Sequence, residues 1–285
     1  MEIKKVAVIG MGLMGSGIAQ VYAEGGCEVL VTDISEELTK KGIANIDKFL
    51  SKAVAKGKLE EAKKVEILGR IKPIKSIEEA KGIDLAQEAA PENMELKKKI
   101  HAQLDAVLPP HVILAVCTSA LCISEIAAAT KRPDKVIGTH FHSPAQVMKL
   151  VEVIRGLNTS EDTVKSMNDI LKKCGKLAIN VADSSGFITS RVWCPFGMAA
   201  IQTMVEGVAT AEDIDAAIKG GFNHPMGPLE LMDVIGLDVM LHAAEDLAKN
   251  FGPAYAPPPR LRTMVAAGQL GVKTGKGFYD YSKKN

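Results

Sequence analysis

The sequence predicts an α/β protein: a mostly parallel sheet with an inserted helical hairpin, followed by a smaller all-α domain. Three observations predict it. Short apolar runs alternate with helix-length amphipathic segments through the first two thirds of the chain, the pattern of strands covered by crossover helices. A Lys/Glu-rich helical stretch over 35–80 is too long for one crossover helix and reads as a hairpin standing off the sheet. After Asp183-Ser184-Ser185-Gly186, β-branched runs give way to Ala, Met, Ile and Leu at helical spacing. The chain therefore divides into domains 1–184 and 185–285, each of ordinary domain size.

The elements follow in order. An apolar strand over 6–9 leads into a helix over 15–23 and a second strand over 29–32. Beyond the hairpin, strands fall at 83–86, at 112–116, at 136–138 with His140 closing that strand, at 150–154 and at 177–181. In the second domain Gly220-Gly221, His224-Pro225-Met226-Gly227-Pro228 and Pro257-Pro258-Pro259 punctuate the helices, the last as a rigid connector.

With 285 residues and 47% apolar composition, each domain has enough side chains for a core, and a largely disordered chain is excluded. The longest apolar runs, such as Val112-Ile113-Leu114-Ala115-Val116-Cys117, are far too short to span a bilayer, and the N-terminus runs straight into a strand without a signal-peptide layout. Thirty-five basic against 34 acidic residues leave a formal charge of +1, so no polyanion-binding surface and no nucleic-acid partner are expected. Cys27, Cys117, Cys122, Cys174 and Cys194 are odd in number and scattered through mostly apolar stretches. Free thiols in a reducing, cytoplasmic setting account for them better than disulfides or zinc.

Gly10-Met11-Gly12-Leu13-Met14-Gly15 follows the first strand and opens the first helix. In this arrangement the first glycine permits the tight turn, the second lets a pyrophosphate approach the backbone, and the third lets helix and strand pack closely. Asp33 ends the second strand, eighteen residues beyond Gly15, where a carboxylate accepts ribose hydroxyls and repels a 2′-phosphate. The prediction is a Rossmann-type domain that uses NAD and not NADP.

Among the six histidines, His101 and His111 lie in polar or loop-like surroundings and His242 in an Ala/Leu-rich helix, so all three read as surface or core filler. His140 stands at the strand edge where open α/β sheets bind ligands. Glu152 falls within the apolar run Leu150-Val151-Glu152-Val153, where an unpaired carboxylate is costly. A His140–Glu152 pair satisfies it and fixes the imidazole tautomer for general base work. The hydroxyls of Thr118-Ser119-Ala120 reach the same edge, either to meet a substrate oxygen or to cap the helix from Ile123. His140, His142 and Glu152 also compose a two-histidine, one-carboxylate set, but no other part of the chain has metal-ligand spacing, and no metal is expected.

Taken with the stretches Ala127-Ala128-Ala129-Thr130-Lys131-Arg132-Pro133-Asp134-Lys135-Val136-Ile137-Gly138, Val147-Met148-Lys149-Leu150-Val151-Glu152-Val153-Ile154, Ala211-Glu212-Asp213-Ile214-Asp215 and Lys273-Thr274-Gly275-Lys276-Gly277-Phe278-Tyr279, these motifs identify a resemblance. The chain resembles, nearly end to end, the L-3-hydroxyacyl-CoA dehydrogenase family, in its bacterial stand-alone 3-hydroxybutyryl-CoA branch. The resemblance implies NAD-linked interconversion of 3-hydroxyacyl-CoA and 3-ketoacyl-CoA in fatty acid metabolism. It also implies substrate binding between the domains and a homodimer formed through the helical one. It assigns the acid–base role to His140, its orienting carboxylate to Glu152, and contact with both substrate and nicotinamide to Ser119. Glu92, Lys97, Ser143 and Lys273 match cofactor contacts, and Lys48 with Lys52 match the face that meets the CoA phosphates.

Three departures alter the substrate shell. The family reads Ser-Asn-Thr-Ser-Ser-Leu where this chain has Val116-Cys117-Thr118-Ser119-Ala120-Leu121. It reads His-Phe-Phe-Asn-Pro where this chain has His140-Phe141-His142-Ser143-Pro144, and Gly-Phe-x-x-Asn-Arg where this chain has Gly186-Phe187-Ile188-Thr189-Ser190-Arg191. Ser190 is shorter than the asparagine that helps hold the substrate carbonyl, and His142 adds a polar group near the substrate. The expected enzyme is a dehydrogenase with changed acyl preference. The alternatives are a paralogue acting on a bulkier or more polar β-hydroxy acid or acyl-CoA, and a non-catalytic NAD-binding protein.

Overall fold

The apolar run Lys5–Ile9 forms strand β1, and the glycine turn after it releases the chain into helix α1 (Leu13–Glu24) in a computed structural model that describes residues 1–282. Strand β2 (Glu28–Thr32) follows, then helices α2 (Glu36–Ala55) and α3 (Glu61–Gly69), and a three-residue strand β3 (Ile71–Pro73). The unit continues with β4 (Leu85–Glu88), α4 (Met94–Val107), β5 (Ile113–Cys117), α5 (Ile123–Ala127), β6 (Val136–Phe141), β7 (Leu150–Arg155), α6 (Glu161–Lys173) and β8 (Leu177–Ala182).

The eight strands make one sheet in the order β3-β2-β1-β4-β5-β6-β7-β8. All pairings are parallel except β6 with β7, which places His140 directly opposite Glu152. The strand order reverses between β1 and β4, the switch point where open α/β sheets bind ligands at the carboxyl ends of their strands. Val6, Val8, Val29, Val31, Leu85, Ile113 and Ala115 are buried, as expected for strands covered on both faces.

Two expectations need correction. The stretch 35–80 is not helical throughout: its end forms β3, which pairs Ile71 with Val29 at the sheet edge. Three residues ending in proline are too short to show strand periodicity, and Pro73 is tolerated there because β3 is an edge strand. Nor does the hairpin stand clear of the domain. Ile46, Leu50 and Ile67 are buried in the same core as α1 and β2.

The chain divides into two compact units, Met1–Ser184 and the residues from Ser185 onward. The second contains α7 (Thr189–Val205), α8 (Ala211–Phe222), α9 (Pro228–Ile235), α10 (Leu237–Phe251) and α11 (Pro259–Ala266) around Ile201, Leu229, Met232, Leu237, Leu247 and Leu261. Asp215 accepts hydrogen bonds from the Leu229 and Glu230 N–H groups at the start of α9 and from the Tyr279 hydroxyl. Asp233 likewise accepts from the N–H groups of Phe278 and Tyr279. A Cβ on Gly227 would lie 2.2 Å from the Asp215 side chain, and one on Gly277 1.9 Å from Asp233, so both motif glycines make room for these carboxylates. No helix among the described residues is long and apolar enough to cross a membrane, and all five cysteines are free thiols.

Candidate active site

The glycine turn fits a dinucleotide. Gly10 adopts φ +95°, and a Cβ there would come within 2.8 Å of the Ala89 carbonyl oxygen, so the turn beside β4 requires glycine. A Cβ on Gly15 would lie 1.8 Å from the Gly10 carbonyl oxygen, which is the close packing of helix on turn. Above Gly12 nothing lies within 4 Å of a Cβ position, and Gly12 begins α1 with no side-chain cap. That opening at an uncapped helix N-terminus suits a pyrophosphate. Met11 is buried, Leu13 is exposed and Met14 is half-buried. At the tip of β2 the Asp33 carboxylate accepts the Met11 N–H at 2.6 Å and the Ile34 N–H at 2.7 Å, so the acidic group is anchored to the turn itself.

Farther along the sheet, the β6–β7 register brings His140 Nδ1 within 2.6 Å of Glu152 Oε2. His140 is 7% exposed and Glu152 fully buried, so their hydrogen bond is shielded from water. His142, half-buried just beyond β6, has its ring centroid 4.5 Å from that of His140. Burial, then the neighbouring His140, holds the His142 imidazole below its ordinary value. One ligand atom from each of His140, His142 and Glu152 lies within 4.8 Å of the others.

Glu92 organises the turn after β5. Its Oε1 accepts the Thr118 hydroxyl at 2.6 Å, the Ser119 N–H at 2.8 Å and the Ala120 N–H at 3.3 Å, while Ser119 itself is exposed. Thr118 does not cap α5; the remote carboxylate of Asp183 does, accepting the Ile123 and Ser124 N–H groups at 3.0 and 2.7 Å. Lys97 is completely buried. Its ammonium donates to Glu88 Oε1 at 2.7 Å, to the Ala90 carbonyl at 3.0 Å and to the Cys117 carbonyl at 2.8 Å. It ties the carboxyl ends of β4 and β5 together and turns no donor outward. Glu88 was not singled out from the sequence. Glu88 carries the same signal that marks Glu152, a carboxylate in an apolar run (Leu85-Ala86-Gln87-Glu88-Ala89-Ala90) that requires a partner.

Lys48 and Lys52 are exposed on one face of α2, one turn apart, and Ser143 is exposed next to His142. Ser190 is half-buried in the first turn of α7, and Lys273 pairs with Asp238 at 2.5 Å; both belong to the second unit. His101, expected at the surface or as filler, is fully buried on α4, with Nδ1 2.9 Å from the Lys97 carbonyl.

The pattern of the 3-hydroxyacyl-CoA dehydrogenase NAD-binding domain matches residues 5–184, and that of the C-terminal domain matches residues 186–281. The chain belongs to the 3-hydroxyacyl-CoA dehydrogenase family. It is an NAD-dependent oxidoreductase acting on a 3-hydroxyacyl-CoA. The 3-hydroxybutyryl-CoA dehydrogenase of Clostridioides difficile is 46% identical over 280 residues, covering 98% of this chain and 100% of that protein. The crystal structure of (S)-3-hydroxybutyryl-CoA dehydrogenase from Ralstonia eutropha superposes with a TM-score of 0.96 at 45% identity, covering 99% and 100% of the two chains. The 3-hydroxyadipyl-CoA dehydrogenase of Escherichia coli is 40% identical over 282 residues, 98% of this chain and 59% of that longer protein.

Proposed function

We propose that His140 is the acid–base residue of this dehydrogenase and that its acyl-CoA carries a chain bulkier or more polar than acetoacetyl. The observation that carries the first part is the buried 2.6 Å His140–Glu152 pair at the carboxyl edge of the sheet. With Nδ1–H held on Glu152, Nε2 is the nitrogen that takes the hydroxyl proton as the alcohol becomes a ketone, and Glu152 stabilises the imidazolium formed. In the reducing direction the imidazolium returns that proton. Bound NAD supplies the hydride acceptor or donor. The opening over Gly12 and the uncapped start of α1 hold its pyrophosphate, and Asp33 its ribose. Ser119 hydrogen-bonds the reacting oxygen from the turn that Glu92 fixes, and Lys97 acts from beneath by holding both strand ends. Ser143 and Lys273 complete the cofactor contacts, and Ser190 holds the substrate carbonyl.

The exposed Lys48/Lys52 face has no carboxylate partner among the described residues and suits the CoA phosphates. Exposed Val192, Val205, Val208 and Phe222 on the helical unit support a homodimer through that unit. The chain-length reading rests on Ser190, Ala120 and His142, which enlarge the substrate shell and make it more polar. It is supported by a relative named for 3-hydroxyadipyl-CoA, whose acyl chain ends in a carboxylate.

The test is a panel of 3-ketoacyl-CoA thioesters, from acetoacetyl to longer and ω-carboxylated chains, followed by NADH absorbance. His140→Ala should lower kcat by about 10²–10⁴-fold on every substrate while NADH still binds, the loss expected for a general base. Normal turnover in that variant refutes the base assignment. A panel in which acetoacetyl-CoA gives the highest kcat/KM refutes the acyl-chain reading.

A further inference from the structure

The cluster His140, His142 and Glu152 has a property the dehydrogenation does not use. His140 and Glu152 stand directly opposite each other on the β6–β7 ladder, and His142 follows just beyond the end of β6. One ligand atom from each lies within 4.8 Å of the others. A tetrahedral zinc shell with metal–ligand bonds of about 2.1 Å spaces its donors by roughly 3.4 Å, so small side-chain rotations close the set around an ion. Two imidazoles and a carboxylate are the donor mixture that zinc accepts while keeping a fourth position open. A backbone hydrogen bond to Leu150 orients the His142 ring, the kind of support a metal-binding histidine has. His142 is half-buried and gives the ion a path in, whereas His140 and Glu152 line the floor. Where the family pattern carries a phenylalanine at this position the third ligand is missing, so the site belongs to this chain in particular.

We infer that His140, His142 and Glu152 bind one zinc ion, and that zinc inhibits the enzyme reversibly by occupying its acid–base centre. The inhibition rests on His140 as the acid–base residue; the binding site does not. Equilibrium dialysis of zinc chloride against the full chain without nucleotide should give one ion per chain, saturating in the micromolar range. His142→Phe and Glu152→Gln should each weaken binding by about 10–100-fold or more, with unchanged far-UV circular dichroism confirming the fold of each variant. Cys122→Ser is the control, because that exposed thiol, 3.3 Å from Asp183 Oδ2, is the obvious adventitious ligand; it should leave binding and turnover unchanged. Zinc should inhibit the wild-type protein over the same concentration range, and EDTA should restore activity. Absence of stoichiometric binding, binding that survives both His142→Phe and Glu152→Gln, or binding lost in Cys122→Ser overturns the site. Zinc that binds as described yet leaves turnover unchanged upholds the site and overturns the role of His140.

Discussion

Replacing Lys97 with methionine should destabilise the first unit by about 3–5 kcal/mol, the range found when one partner of a buried ion pair is removed. The size follows from what Lys97 leaves behind. The two side chains are 2.7 Å apart and both fully buried. Burial already pushes the Glu88 carboxyl above its ordinary value of 4.5, and the Lys97 ammonium is the largest opposing influence. Without that ammonium the carboxyl must be neutralised to stay folded. Keeping that carboxyl protonated at neutral pH opposes its ordinary acidity, and this cost is the main part of the loss. Loss of the hydrogen bonds to the Ala90 and Cys117 carbonyls adds about 1 kcal/mol or more. The sign of the pH dependence follows. A carboxyl with a raised folded-state pKa contributes no penalty below its unfolded pKa and its full penalty above the folded one, so the deficit of Lys97→Met should shrink as pH falls from 7 toward 4.5. Glu88→Gln combined with Lys97→Met should recover at least half of the loss, because no buried charge remains. Urea unfolding followed by far-UV circular dichroism measures the change. The single tryptophan, Trp193, lies in the second unit, so its fluorescence serves as an internal control. A Lys97→Met protein within 1 kcal/mol of wild type, or a double variant no more stable than the single one, refutes the reasoning.

Three further outcomes are expected. NADPH should give a kcat/KM at least tenfold below that of NADH, since a 2′-phosphate faces the anchored Asp33 carboxylate at a cost of about 1–2 kcal/mol; equal values for the two cofactors count against the assignment. Burial pushes the His101 imidazole down to about 4 from 6.5, so the unfolded chain takes up a proton first as pH falls. Stability is complete above pH 6.5 and declines by about 3 kcal/mol between 6.5 and 4; a His101→Gln protein with the same acid profile removes His101 as the cause. Ser190→Asn should raise acetoacetyl-CoA turnover by up to about 10²-fold, the worth of one well-placed hydrogen-bond donor, and reduce turnover of the longer substrate; no gain on acetoacetyl-CoA in steady-state assays refutes the role given to Ser190.

The sheet was legible because strands buried on both faces read as unbroken apolar runs, and Val6, Ala7 and Val8 or Ile113, Leu114 and Ala115 have no other physical explanation. What failed were the places where the pattern is thinner than its noise. β3 offers a single buried residue, Ile71. The inner stripe of α2 is Thr39, Gly42, Ile46 and Leu50, only two of them strongly apolar, in a helix otherwise rich in lysines and acids, so the helix reads as solvated although its inner edge is core. Gly42 carries a signal of its own that sequence alone does not decode: a Cβ there would meet Met11 at 2.6 Å, which seats α2 directly on the nucleotide turn.

The site divides along a different line, between what a residue must find and where its side chain points. Glu152 was predictable as a paired group because its strand leaves it no water, and the antiparallel register supplies His140 opposite. Glu88 obeys the same logic, yet the Ala89-Ala90-Pro91 that follows makes it look like the start of a loop, and its partner nine residues on looks like a surface lysine in the first turn of a helix. The family resemblance places Lys97 among the cofactor contacts. Burial and three short hydrogen bonds direct its charge at Glu88 and the ends of two strands. Glu92 is held apart from that buried charge, 4.0 Å from the Lys97 ammonium, and gathers Thr118 and Ser119 on its outer side. The order of these residues from core to surface is therefore Glu88, Lys97, Glu92 and Ser119. Ala120, His142 and Ser190, the positions to which the changed acyl preference is proposed to belong, are not members of that set.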